Sequence, residues 1–510
     1  MYDFVIVGGG SAGCLLAARL SADERVDVLL LEAGRDHSDF ERAPRVVREA
    51  VGGVDVTDQF DELDWGYTAM GSAASGRIDI PRGRVMGGSG AINGAIWLRG
   101  LPEDFKRWAE MAGLEWDWSE MLPAYRAIEA DPVGDANAHG RVGPFPIHRF
   151  PRDEWVATQA AFAAACEELG YGTTDDENAP DSMGVGQLPL NQADGLRWGP
   201  ARALLTDEVR SRPNLTIGDQ ARVVGIEFSR QRAVGVRVQS ADGTTVTEGR
   251  EIILAAGAIG SPHLLLLSGV GPADELRRLG IGVTVDLPAV GQGLRDHPKT
   301  WVEWRLTEDA PGRPTDPLLQ TSARYTATGS DLRGDMMLYP NSVVPGPAPG
   351  DRHLRIEAVN NLQLSWGRLW LRSPDPDVQP GIDLRLLSET RDRERLVDSI
   401  ERCLALAETA PMRELIDSLV RPAPVHATDR AGLRGYVERT IMTGQHISSS
   451  CRMGRTSDAS AVVDPDCRVR GLEGLRVIDG SVMPDSIRAN THATILAMAE
   501  LMAGRLLVGD

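Results

Sequence analysis

Apolar and polar positions set the frame of this chain before any single residue does. An apolar run at residues 3–7 (DFVIV) is followed by a glycine-rich break, a small-residue stretch from Ser11 to about Ser21, and a second apolar run at 28–31 (VLLL) that ends at Glu32. Short apolar runs bounded by turn residues predict buried parallel strands, and the stretch between them predicts a helix. Residues 153–170 have the spacing of an amphipathic helix. Three β-rich runs between 214 and 256 (ARVVGIEF, RAVGVRVQ and TVTEGREIILAAG) are divided by turn signals at Arg230–Gln231 and Asp242–Gly243. The last of them, Ile252 to Ala256, is expected to rejoin the N-terminal sheet, and residues 257–271 follow as a turn and a helix.

Beyond residue 300 the texture changes. Gly/Pro-rich loops such as 340–351 separate strand-like pieces such as GRLWLRS, which predicts a second, sheet-containing domain. A helix over 391–409 places Leu396, Ile400, Cys403, Leu404 and Ala407 on one face. Residues 489–507 are apolar nearly all round, so they predict a buried helix, with Asn490 or Thr491 as its cap. The expected division is 1–300, 301–440, and a return of 441–510 to the first domain. The fold class is α/β (α+β overall): a Rossmann-like domain with a second domain on an antiparallel sheet.

Composition narrows the function. At 510 residues the chain is long enough for two or three domains. A formal charge of −19 disfavours nucleic acid and anionic membranes as partners. No run of about 18 apolar residues suggests membrane insertion, and the first strand starts so near Met1 that no leader is expected, which points to a cytoplasmic protein. Cys14, Cys166, Cys403, Cys451 and Cys467 are scattered and form no C-x-x-C pair, so neither a disulfide framework nor a metal site is expected. Cys451 is expected to be a buried inert thiol. Only two of the 54 basic side chains are lysines, Lys106 and Lys299, which leaves little scope for Schiff-base chemistry.

The glycines Gly8, Gly10 and Gly13 have the spacing G-x-G-x-x-G between the first strand and the first helix. In a dinucleotide-binding βαβ unit the first permits a tight turn, the second lets the backbone approach a pyrophosphate, and the third lets helix and strand pack closely. The helix N-terminus offers free N–H groups to the phosphates. Glu32, 19 residues past Gly13, stands where a carboxylate accepts ribose hydroxyls and disfavours a 2′-phosphate. A second glycine-rich stretch, PRGRVMGGSGAING at 81–94, fits close approach of a ligand to backbone and continues into apolar residues through Ala95 and Trp97.

Four blocks together resemble the glucose–methanol–choline (GMC) family of flavin oxidoreductases: GRVMGGSGAIN (83–93), GAIGSPHLLLLSGVG (257–271), VGQGLRDHP (290–298) and VIDGSVMP (477–484). The resemblance implies FAD in a Rossmann-like domain facing a substrate domain built on an antiparallel sheet. It assigns Gly8, Gly10, Ser11, Ala12 and Gly13 to the pyrophosphate, Glu32 and Ala33 to the adenosine ribose, and the Val223 backbone to adenine. Met86, Gly87, Asn93, Gly94 and Ala95 are implied along the flavin, Asp479 and Gly480 along the ribityl and phosphate region, and His492 and Ala493 beside them. His446 matches the catalytic histidine and His492 the second catalytic position, while His297 is expected to be structural. Trp366 and Trp370 fit a pocket lining and sheet packing equally. The chain departs from the family where Ile447, Ser449 and Ser450 replace the usual Pro, Gly and Thr, and where Thr494 replaces a common proline. Ile92 stands where covalent binders often have histidine, so FAD is expected to be non-covalent.

The chemistry implied is oxidation of an alcohol, with the flavin taking a carbon-bound hydride and a histidine taking the hydroxyl proton. Histidine ordinarily titrates near neutrality, so activity is expected to rise through one ionisation there. The N-terminus of the last helix is placed to stabilise negative charge on the reduced flavin. The substrate expected is a neutral, apolar or aromatic primary alcohol, with oxygen or another acceptor for the electrons. The rivals are a hydroxynitrile lyase on the same scaffold and a non-enzymatic flavoprotein; two histidines at one site argue against the latter.

Overall fold

A computed structural model describes residues 1–50, 61–240 and 243–508. Asp242 of the second predicted turn lies outside the described residues. The apolar runs form the strands Tyr2–Val7 and Val28–Leu31, with the helix Ser11–Leu20 between them. The strand Leu215–Gly218 extends this parallel sheet at one edge. On the other side lies the long strand Gly243–Leu254. Its second half runs parallel to Tyr2–Val7 and to Leu475–Val477, and its first half pairs antiparallel with Arg232–Ser240, which pairs in turn with Arg222–Ser229. The predicted meander thus rejoins the N-terminal sheet, and the C-terminal segment returns to it 220 residues later. The fold is α/β with two domains.

The second sheet is antiparallel throughout, in the order Ile416–Arg421, Pro298–Leu306, Arg352–Asn360, Met336–Pro345, Thr321–Tyr325 and Gly184–Gln187. Its last strand comes from well before residue 300. GRLWLRS does contribute a strand, Gly367–Trp370, but to a separate five-stranded sheet with Thr68–Met70 and Arg77–Asp79. The expected loop at 340–351 is half strand. Pro340 pairs opposite Ile356, a bulge between Asn341 and Val344 absorbs the irregularity, and the Pro340 carbonyl accepts from Gln159 Nε2 at 2.7 Å.

The helix predictions hold with ends moved by one to four residues: Ala157–Glu168, Thr390–Ala407 and Thr491–Val508. On the second, Leu396, Ile400 and Cys403 are buried as expected, with Leu406 rather than Leu404 completing the face. By length and composition alone Thr491–Val508 is long and apolar enough to cross a membrane. Here it is a core helix packed against Ser11–Leu20 and Trp118–Ile128. That packing carries its N-terminus to the mouth of the glycine turn. Asn490 does not cap it through its side chain; that amide contacts His446 and Tyr339 instead.

Candidate functional site

The first strand ends at Gly8 in a left-handed conformation (φ 104°), and the chain turns directly into the helix at Ser11. A Cβ on Gly13 would lie 1.9 Å from the Gly8 carbonyl oxygen, so only glycine allows this contact of helix and turn. The turn opens into a cavity of about 210 Å³ lined by Gly8, Gly10, Ser11, Ala12, Glu32, Ala33, Val223, Asp479 and Gly480. All nine are predicted cofactor residues drawn from four distant stretches of sequence.

Two carboxylates brace this cavity. Glu32 accepts the Gly9 N–H at 2.8 Å and the Gly34 N–H at 2.7 Å, so it holds the glycine turn as well as facing the cleft. Burial pushes its carboxyl up to about 7. Asp479 accepts from Gly257 N–H at 2.8 Å, Ser261 Oγ at 2.6 Å and Ser481 N–H at 2.7 Å; burial raises its carboxyl too. It thereby ties the returning C-terminal segment to the turn after Leu254.

The residues fit a dinucleotide. A Cβ on Gly10 would meet nothing closer than 3.9 Å, so the backbone there faces open space. Two buried polar atoms lining the cleft have no partner among the described residues: Arg82 Nη2, a donor sited for an anionic ligand, and His263 Nε2. Trp65, Tyr67, Arg82, Arg222, His263 and Gln445 also line the cleft but were not singled out from the sequence. The pair Arg82–Gly83 at the head of the second glycine-rich stretch was the available signal.

Gly13, Met86, Gly87, Asn93, Gly94, Ala95, His446, His492 and Ala493 do not line this cavity. Gly87 donates to the Gly9 carbonyl at 2.6 Å and so supports the turn from behind. Asn93 Oδ1 accepts from Ala95 N–H and from Arg197 Nη1. His492 is buried, with Nδ1 3.1 Å from Ser11 Oγ, its ring walled by Trp97 and Phe145, and Nε2 without a partner among the described residues. Burial and Arg197 lower its imidazolium to about 3.

His446 lies one residue from each of two cavity-lining residues, Gln445 and Ile447. One oxygen of Asp296 accepts both the His446 and the His297 backbone N–H, each at 2.9 Å. The side chains then meet, Nδ1 to Nδ1, at 2.9 Å. His297, expected to be structural, is therefore in direct contact with the predicted base. Burial lowers His446 well below its ordinary range, with help from His297, Lys299 and Arg82, and lowers His297 to about 3. Both directions run against an ionisation at the ordinary histidine value, and favour the neutral imidazole at neutral pH. Ser449, at the position the family fills with glycine, keeps the left-handed backbone (φ 68°) that glycine would take. Burial raises the Cys451 thiol well above its ordinary value, as expected of an inert core thiol. Trp366 is half exposed, and Trp370 lies in the five-stranded sheet with Arg368 over its ring.

Behind His492 lies a charged layer that the sequence did not suggest. Trp97 donates from Nε1 to Glu129 at 3.0 Å. His139 bonds Glu129 at 2.9 Å and Asp176 at 2.8 Å, and Arg99 and Arg149 pair with Glu129, Asp131 and Asp176. Although burial opposes it, hydrogen bonds to Asp131, Asp176 and Glu129 hold His139 charged up to about 10. Three carboxylates face three cations, a self-neutralised cluster.

This architecture recurs in known proteins. GMC oxidoreductase profiles match residues 2–299 and 364–499. The chain belongs to the GMC oxidoreductase family. It is an oxidoreductase by that membership, and 35% identical over 520 residues to an uncharacterised GMC-type oxidoreductase of Rhodococcus erythropolis, covering 100% of this chain and 98% of that one. It is 32% identical to human mitochondrial choline dehydrogenase, over 98% and 89% of the two chains. Among solved structures it is similar to pyridoxine 4-oxidase from Mesorbium loti, with a TM-score of 0.91, 30% identity and 100% of both chains covered. In GMC terms, the stretch between the two matched segments is the one that supplies most of the antiparallel sheet.

Proposed function

We propose that the protein oxidises a primary or secondary alcohol to the aldehyde or ketone, with non-covalent FAD as cofactor and His446 as the base. When bound, FAD supplies a two-electron acceptor for the carbon-bound hydrogen that leaves as hydride. The chain's own part is to bind and to move one proton. The glycine turn and the first helix offer backbone N–H groups to phosphates, and Arg82 adds a cation at the rim. The hydroxyl proton passes to His446 as C=O forms. The observation that carries this reading is a buried imidazole on a clamped backbone directly beside the cleft, where burial favours its neutral form. Ile92 has no nucleophilic atom for a covalent link.

Two relatives are named for choline and for pyridoxine, both alcohols, which supports the reaction class. A neutral, apolar or aromatic alcohol, oxygen or another carrier as acceptor, and a cytoplasmic location belong to the same proposal. The test is anaerobic: purified holoprotein is mixed with a panel of alcohols and its flavin absorbance followed. Bleaching by at least one alcohol is expected, with FAD alone in the supernatant after acid precipitation. Cleavage of a hydroxynitrile with no bleaching by any alcohol would make the protein a lyase instead.

A further inference from the structure

Resting on the reaction just proposed, we infer that Lys299, held by Glu357 on the sheet face that looks toward His446, is a specificity-determining residue. It turns away alcohols that carry a cation and admits those whose second group is neutral or anionic.

The two faces of the antiparallel sheet are told apart by what they touch. One is covered by helices: Tyr325 Oη bonds Ser399 Oγ on Thr390–Ala407, and Val302, Leu354, Ile356 and Ala358 are sealed beneath. Alternate residues point the other way. From that second face Tyr339 reaches Asn490 and Arg324 donates to the Arg488 carbonyl, both just before the last helix. The pairing register sets Trp301, Glu357 and Tyr339 in one row across three neighbouring strands. Lys299 lies on the same face, two residues before Trp301 and two after His297. Two residues of extended chain span about 6.6 Å, and the His297 ring meets His446 at 2.9 Å.

Lys299 Nζ donates to Glu357 at 3.0 Å, and both side chains remain reachable, at 22% and 24% exposed. The chain's other lysine, Lys106, is exposed on the helix Pro102–Ala112. A lysine carries three donors on a flexible stem. Glu357 takes one, which leaves donors for an acceptor on the substrate. A second cation stands close by: Arg82 Nη1 donates to Gln445 Oε1, one residue before His446, at 2.7 Å. Lys299 and Arg82 both add to burial in disfavouring a charge on His446, and a cationic substrate there meets the same opposition. The carboxylates on this face are already engaged, Glu357 by Lys299 and Glu303 by Arg355 and His353. Below them Asp296 accepts two backbone N–H groups. A cation therefore finds like charges and no open acid, and like charges exclude a ligand more sharply than added contacts select one.

The test uses the holoenzyme at neutral pH and begins with ligands that carry no alcohol. Benzoate and benzamidinium are titrated against the absorbance of bound flavin. Benzoate is expected to bind about tenfold tighter or more, the scale of one close charge contact at a partly exposed site. Benzyl alcohol should likewise bleach the flavin anaerobically about tenfold faster than its para-aminomethyl derivative. Lys299→Met leaves Glu357 without its cation and should shift both ratios about tenfold toward the cation. Glu357→Gln leaves the ammonium unneutralised and should move them the other way. FAD content and thermal midpoint check that each variant is folded, and the wild-type ratio stands without either. Benzoate binding no tighter than benzamidinium in the wild type, or ratios that stay the same in both variants, would overturn the inference. The two failures are separable: if no alcohol bleaches the flavin the reaction reading falls, and the benzoate–benzamidinium ratio still decides the charge preference.

Discussion

The glycine cradle and the histidine cluster lie side by side and are built in opposite ways. The cradle is made of local signals: glycines at fixed spacing, a strand end, a helix start, and carboxylates whose oxygens brace backbone N–H groups. The histidine cluster has no such local grammar. His297 and His446 are 149 positions apart and meet only because Asp296 clamps both backbones. On the proposed reading, binding is carried by backbone and chemistry by side chains. A substitution in the cradle should alter retention of the cofactor, and one in the cluster should alter rate.

The sharpest test of that contrast is His446→Ala. It should slow anaerobic flavin bleaching by about 100- to 10,000-fold while leaving FAD content and thermal midpoint close to wild type. Loss of FAD in this variant would mean that the two regions are not separable. A change in the charged layer behind His492 should act on stability instead. His139→Leu leaves three buried carboxylates facing only two guanidinium groups and should cost about 3–5 kcal/mol, measured by denaturant unfolding. The sign with pH follows from the raised imidazolium: its stabilisation is full below about 6.5, where the unfolded side chain is also charged, and is lost as pH rises through about 10. Wild-type stability should fall over that window more than the variant's does.

Glu32→Ala comes next. It leaves the Gly9 and Gly34 N–H groups unpaired and removes a ligand-facing acceptor, so FAD retention should weaken by about 2–3 kcal/mol on dilution. Residual holoenzyme should bleach at nearly the wild-type rate, and a rate loss equal to that of His446→Ala would erase the distinction between the regions. The smallest effect expected is an absence of change. Only neutral imidazole accepts the hydroxyl proton, and His446 is neutral well below its ordinary value, so its activity is lost only on the acid side of neutrality. The bleaching rate should stay flat from neutral to mildly alkaline pH. A rise through an ionisation near 7 that persists in Glu32→Gln would show that burial does not hold the ring as described.

The sequence by itself determined the nucleotide-type βαβ unit, written in short local blocks, while the family resemblance pointed to nine of the residues that line the cleft and to His446 beside it. The sequence also pointed to a core position for most of Thr491–Val508, since that helix is apolar nearly all round. Tertiary structure alone decided which partners the catalytic groups keep. Asn490 reads from sequence as a helix cap, but its amide is claimed by Tyr339 and His446 across the domain boundary. His297 reads as structural and stands against the base. Pro340 reads as loop and lies in the middle of a sheet, where a bulge and Gln159 accommodate it. The strand Gly184–Gln187 joins the second sheet from far upstream. The physical reason is common to all four: hydrogen-bond partners and proton positions depend on which groups arrive within about 3 Å, and that is set by the packing of distant segments, not by sequence spacing.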